Sequence, residues 1–268
     1  MIKIGTSGYA FTDWIGTVYP ANVKKEDMLS FYETELGFNT VELNYTYYAL
    51  PSQKAIAGIS RKTSANFEFA VKANKAMTHD LIDKFSGKTI DNSEIFKKFR
   101  YSLEPLINES KLSCVLAQFP YSFHFSNGGV EYLERFRELM RDVPLVFEFR
   151  NMGWHNTETL KYLLNLGVGY CVVDEPKLKG LMPFNPVETS DLGYFRFHGR
   201  NANWFDAPLS VRYDYFYSEK ELKSFIEPIK IVEKNTKKTL AFFNNCHAGS
   251  AAKNAIQMIK MFSNTSPL

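Results

Sequence analysis

Short apolar runs and longer amphipathic stretches alternate from one end of the chain to the other. The short runs are rich in β-branched and aromatic residues and predict eight strands, over 2–7, 39–44, 67–72, 114–119, 145–150, 169–174, 193–198 and 239–244. Between and after them, apolar positions three and four apart predict helices over 25–36, 52–60, 93–108, 130–141, 157–166, 219–234 and 250–262. The stretch between the sixth and seventh strands, PKLKGLMPFNPVETSDL, holds three prolines and predicts an irregular crossover instead of a helix. Eight strand-helix units in 268 residues give about 33 residues each, the size of a βα repeat in a (β/α)₈ TIM-type barrel. The competing architecture is an open doubly wound sheet, which usually carries a glycine-rich turn after an early strand. Gly5 and Gly8 have neither the spacing nor the following helix for that turn. The chain therefore predicts a single α/β barrel domain over 1–268, with long loops at 75–92 and 199–218 on its carboxyl face.

Alternation within the strands also predicts which residues point into the barrel. Leu145, Phe147 and Phe149 form the apolar set of the fifth strand and must face the helices, which turns Val146, Glu148 and Arg150 inward. The same parity turns Thr40, Glu42 and Asn44 inward on the second strand, Glu68, Ala70 and Lys72 on the third, and Tyr194, Arg196 and His198 on the seventh. The parity of Ser7, Gln118, Asp174 and Asn244, at the ends of the other four, stays open. Barrel interiors are usually layers of Val, Ile and Leu. Here Glu42, Lys72, Glu148, Arg150, Arg196 and His198 gather instead, and charges so placed must pair with one another or await a ligand.

Composition narrows the classes. With 45% hydrophobic, 15% aromatic and 23% charged residues the chain is a folded domain, and a net charge of +3 announces no polyanionic partner. Cys114, Cys171 and Cys246 are odd in number and widely spaced, which fits neither a disulfide framework nor a cysteine zinc site. No run approaches the roughly 18 apolar residues of a membrane span, and MIKIGTS lacks the form of a secretory leader. The expectation is a cytoplasmic protein with no membrane partner; oligomeric state is left open.

Several segments occur in the order of one family: GTSGY with Trp14, FNTVELNYTYY, FEFAVK, VLAQFP, FEFR with Trp154, YFRFHGRN and FFNNCHAGSAAKNA. Over essentially its whole length the chain resembles the YecE-like family, domain of unknown function seventy-two. The resemblance implies a TIM-type barrel and brings no assigned activity. His79 fits the family pattern. Asn151 stands where the family often has histidine after the strand-five arginine, so no role of that histidine transfers.

The inward residues admit several chemistries. Glu42 and Glu148 would serve glycoside hydrolysis if about 5–9 Å apart. Glu42, Glu148, Asp174 and His198, with His79 and His247, have the ligand types of a metal-dependent nuclease-like hydrolase, but interleaved Lys72, Arg150 and Arg196 repel a dication. Lys72 is a Schiff-base candidate, although neighbouring Glu42 and Glu148 are expected to hold it charged. Gly249 and Ser250 at the start of the last helix, with Asn245 and a bidentate Arg200, suit an anion. Trp204, Phe205, Arg212, Tyr213, Tyr215 and Tyr217 would suit a nucleic acid strand, a partner that the near-neutral charge disfavours. The sequence reading is an enzyme acting on a small anionic or phosphorylated ligand by acid/base chemistry, with no cofactor or metal. Its catalytic residues are Glu148, His198, Glu42 and Lys72. Arg150, Arg196, Arg200, Asn44, Gln118, Asn244, Asn245, Gly249 and Ser250 bind the ligand, inside an aromatic rim of Tyr9, Trp14 and Trp154. A metal-dependent hydrolase of nucleic acid and a non-catalytic binding barrel are the alternatives.

Overall fold

Each apolar run becomes a strand in the structure, a computed structural model that describes residues 1–82, 87–205 and 207–265. The order is β1 (Ile2–Thr6), α1 (Met28–Thr34), β2 (Thr40–Leu43), α2 (Tyr45–Tyr48), α3 (Gln53–Ser60), β3 (Glu68–Lys72), α4 (Ser93–Asn108), β4 (Leu112–Gln118), α5 (Asn127–Leu139) and β5 (Leu145–Glu148). It continues with α6 (Thr157–Leu166), β6 (Gly169–Asp174), β7 (Leu192–Phe197), α7 (Leu209–Arg212), α8 (Glu219–Asn235), β8 (Lys238–Phe243) and α9 (Ser250–Thr265). The short α2 and α7 are single turns that no periodicity announces. No helix forms between β6 and β7, where proline recurs. Residues 83–86 and 206, within the two long loops, lie outside the described residues.

All neighbouring strands are parallel, in the order β1-β8-β7-β6-β5-β4-β3-β2. A parallel bridge between Ser7 and Glu42 joins the two ends and closes the barrel. That seam depends on Gly5: a Cβ there would sit 2.4 Å from the Thr40 carbonyl oxygen, so only glycine lets β1 approach β2 so closely. Local sequence fixes the helix starts. Ser126 and Asn156 accept hydrogen bonds from the backbone of Gly129 and Thr159, and Ser218 with Glu221 forms a capping box on α8.

The outward strand faces are the apolar ones. Phe147 packs on Phe136 of α5 with ring centroids 5.3 Å apart, and Phe197 on Phe225 of α8 at 4.7 Å. Burial of such side chains contributes roughly 1.5–3 kcal/mol each. The axis is polar. At its amino end Glu68 pairs with Lys3 (2.9 Å) and Lys238 and accepts from the Ser113 hydroxyl. Burial alone would raise the Glu68 carboxyl, but hydrogen bonds from Lys238, Ser113 and Lys3 hold it below its usual range. Among the described residues no helix is long and apolar enough to cross a membrane.

Candidate active site

A cavity of about 540 Å³ opens at the carboxyl end of the barrel. Strand ends supply Asn44, Lys72, Gln118, Arg150, Arg196 and Asn244 to it; Tyr47 and Tyr48 of α2 and the loop residues His79, Tyr121, Leu181, Trp204, Phe205, Arg212 and Tyr213 complete the wall. The place is the one where barrels concentrate chemistry.

A buried ion network forms beneath this cavity. Arg196 donates to Glu42 Oε1 and to Glu148 Oε2, both at 2.7 Å, and Glu42 also accepts from the Tyr194 hydroxyl at 2.6 Å. Arg150 lies between two carboxylates, its Nε 2.7 Å from Glu148 Oε1 and its Nη1 donating to Glu175 at 2.9 Å. His198 Nε2 is 3.1 Å from Glu148 Oε1, and its Nδ1 is 2.9 Å from the Asn244 amide nitrogen. An amide nitrogen can only donate, so Nδ1 accepts and the proton of the neutral ring sits on Nε2, facing Glu148.

Burial and then Arg150 push His198 well below its ordinary pKa, and contact with Glu148 does not reverse this. Burial would raise Glu148, but Arg150, Arg196 and His198 outweigh it and hold the carboxyl well below its usual range. Glu175 goes the other way: burial lifts it to about 7 in spite of Arg150. Glu148 and His198 face the axis as strand parity requires, yet both side chains are fully buried and neither lines the cavity. Every polar atom they possess is already engaged.

Lys72 differs from these groups. Its ammonium donates to Gln118 Oε1 at 2.9 Å and lies 4.5 Å from the centre of the Tyr47 ring. Gln118 is held by its own Nε2, which donates to the Phe119 carbonyl at 2.8 Å, so its oxygen is the atom turned to Lys72. No ion pair joins Lys72 to a carboxylate of the described residues. Burial, and after it Arg196, push the amine down to about 7, against the pull of Glu148 and Glu42. The sequence expectation that these glutamates keep Lys72 charged is therefore corrected: burial and Arg196 together outweigh their pull. His79, on the same wall, is pushed down to about 4 by burial and by Lys72.

Other predicted site residues stand elsewhere. Trp14 and Trp154 form no rim. Trp154 is sandwiched between Phe123 and Phe149 behind β5 and donates to the Phe123 carbonyl; Trp14 is buried against Phe11 and donates to the Cys246 carbonyl. Tyr9 packs near Tyr32, and its carbonyl accepts from Tyr19. Arg200 is no open clamp, since it grips Asp174 through Nε and Nη2 and reaches Glu221 through Nη1. Asn245 is buried, donating to the Tyr215 carbonyl and to Asn254. Gly249 and Ser250 sit away from the cavity. Gly249 packs on Val18, and the neighbouring Ala248 N–H donates to Asp13 at 2.8 Å, so a carboxylate of the chain itself takes the place expected for a ligand anion. The metal set is likewise dispersed: Asp174 holds Arg200 and Tyr217, and His247 lies on Asp13. Among the described residues no three His, Cys, Asp or Glu side chains gather as ligands.

The rim that does form was assigned by sequence to nucleic acid or to no role. Trp204 is buried with Arg150 and Arg212 both lying over its ring, at 5.8 and 5.7 Å, and meets Tyr213 edge-on. Arg212 donates to the carbonyls of Phe205 and Ala207 and, among the described residues, pairs with no carboxylate. The signal available was the length of the loop after β7 and the aromatic YTYY after β2.

Residues 3–267 match the family described as "Protein of unknown function DUF72". The chain belongs to this family. It is 31% identical to the UPF0759 protein YunF of Bacillus subtilis, over 97% of this chain and 94% of that protein. It is similar to a solved DUF72 family protein of Thermotoga maritima (47% identity, TM-score 0.91, 98% and 99% covered). A DUF72 family protein of Enterococcus faecalis follows the same path (28% identity, TM-score 0.86, 100% and 97% covered). D-Psicose 3-epimerase of Clostridium cellulolyticum has the same fold at 11% identity, with TM-score 0.52 and 98% of each chain covered. That likeness bears on the barrel alone.

Proposed function

We propose that the mouth cavity is the active site of an enzyme that binds a small anionic or phosphorylated molecule and transfers a proton through Lys72 by metal-independent chemistry. The observation that carries this reading is Lys72 itself, an amine on the cavity wall with an amide for its partner and a pKa pushed to about 7. A group poised near neutrality both takes and returns a proton, which is what general acid/base catalysis requires. Arg212 is the anchor for the anion, and Asn44, Gln118 and Asn244 orient its polar atoms. Tyr47, Trp204 and Tyr213 displace water, which strengthens each charge contact inside. Glu148 and His198 act at one remove, fixing Arg150 and Arg196. The buried carboxylates are paired with guanidinium groups whose charge repels a dication, which favours proton transfer over the hydrolase alternative.

A thermal-shift screen of phosphorylated and carboxylated small molecules tests the reading. A ligand at a hundred times its Kd stabilises the fold by about 2.7 kcal/mol. The expected result is a rise in Tm for the wild type that Arg212→Ala removes. Flat melting curves with every anion, together with salt-sensitive retention of an oligonucleotide, would favour the nucleic acid reading instead.

A further inference from the structure

The Lys72 nitrogen, besides carrying a proton, is a nucleophile on the wall of the cavity. We propose that Lys72 forms a covalent imine with a small carbonyl compound bearing an anionic group, a 2-oxo acid or a phosphorylated aldehyde or ketone. The proposal rests on the reading of the mouth as an anion-binding site and extends it to a class of substrate.

The geometry supports it. Lys72 ends β3 at the cavity wall, where its nitrogen is partnered by the Gln118 carbonyl oxygen and the Tyr47 ring and by no carboxylate of the described residues. An amide oxygen and a ring face hold the group in place and favour its protonated form less strongly than a carboxylate would. Gln118 is tied to the backbone at Phe119, so the position of the amine is set before any ligand arrives. The guanidinium groups of Arg196 and Arg150 line the same cavity and disfavour a second cation beside them. Burial lowers the amine to about 7, so a large share carries a free lone pair at neutral pH. Arg212, on the opposite loop, supplies the charge for the ligand's anionic end.

The step balances without a co-reactant. The nitrogen lone pair forms a bond to the carbonyl carbon while the C=O π pair moves to oxygen. The proton lost from nitrogen is taken up by that oxygen, giving a carbinolamine. The C–O bond then breaks, oxygen departs as water with a second proton from nitrogen, and the carbon–nitrogen double bond remains. Nothing is oxidised or reduced. Protonated, that bond draws electrons from the adjacent carbon, which prepares it for loss of a proton or cleavage of a carbon–carbon bond.

The test is reductive trapping. The full-length protein is incubated near pH 7 with glyoxylate or pyruvate and sodium cyanoborohydride, and its lysines are mapped by peptide mass spectrometry. Lys72 is expected to acquire the adduct at least tenfold faster than any other lysine, and inorganic phosphate is expected to slow it by competing for the anion site. Lys72→Arg and Lys72→Met should lose the fast adduct while their other lysines react as before. Labelling of Lys72 at the rate of surface lysines overturns the proposal. If anions still raise the wild-type Tm in that case, the imine alone has failed; if none does, the reading of the cavity has failed with it.

Discussion

Arg196 is the residue on which the polar interior turns. It reaches Glu42 on β2 and Glu148 on β5 at once, with its side chain 2% exposed. Replacement by methionine leaves two buried carboxylates short of a cation, a loss of about 3–5 kcal/mol. Arg196→Lys should recover only part of it, because an ammonium cannot span both partners with a planar fork. Denaturant unfolding at neutral pH measures both, and equal stabilities of the wild type and Arg196→Met would refute the assignment. Lys72 gives a second prediction, of opposite character. Its amine is pushed to about 7 in the fold, whereas in the unfolded chain it keeps its proton to about 10.4. Between those values the unfolded state binds more protons, so this group makes stability rise with pH, by at most about 1.4 kcal/mol per unit. Lys72→Met should flatten the profile between about pH 7 and 9, and an unchanged slope would count against the depressed amine. Alternation alone sufficed to turn Glu148, Arg196 and His198 toward the axis, since phenylalanines at every second position of β5 and β7 belong against helices. Alternation is silent on depth. The tautomer of His198 depends on Asn244 and Glu148, 46 and 50 residues away in sequence, and no spacing rule brings those three together.

At the scale of elements, the seam between β1 and β2 is the most exacting contact in the barrel. Gly5→Ala puts a methyl group against the Thr40 carbonyl, and the strands must part or the chain must strain, at about 1–3 kcal/mol. Gly128→Ala, in the first turn of α5 with open space around it, is the matched control and should hold or gain stability. Comparison of the two melting temperatures decides the matter; equal losses would mean that the seam has slack. The strands were legible because their composition and period agree. The rim was not. Trp154 follows the end of β5 closely enough to suggest the mouth, but the turn over Met152–Trp154 folds it back onto Phe149. Arg212 and Tyr213 sit in a long loop, where no periodicity says which side chain turns inward.

At the scale of the molecule, the barrel is built in tiers along its axis. Hydrophobic residues hold the strands to the helices outside, while charged groups are set inside: Glu68 with Lys3 and Lys238 at the amino end, Arg196 with Glu42 and Glu148 above them, and the cavity at the top. Strand parity turned Glu68, Glu42, Glu148 and Arg196 inward, but it left the strands of Lys3 and Lys238 open. Which tier is sealed and which is open depends on the loops, whose paths the sequence does not encode by period. The lower tiers have a consequence for traffic. Among the described residues, buried side chains fill the barrel beneath the cavity, so a molecule that comes in by the mouth must go out by it. If the mouth is the active site proposed above, substrate and product queue for one passage, each an obstacle to the other, and turnover in such a cul-de-sac slows as product accumulates.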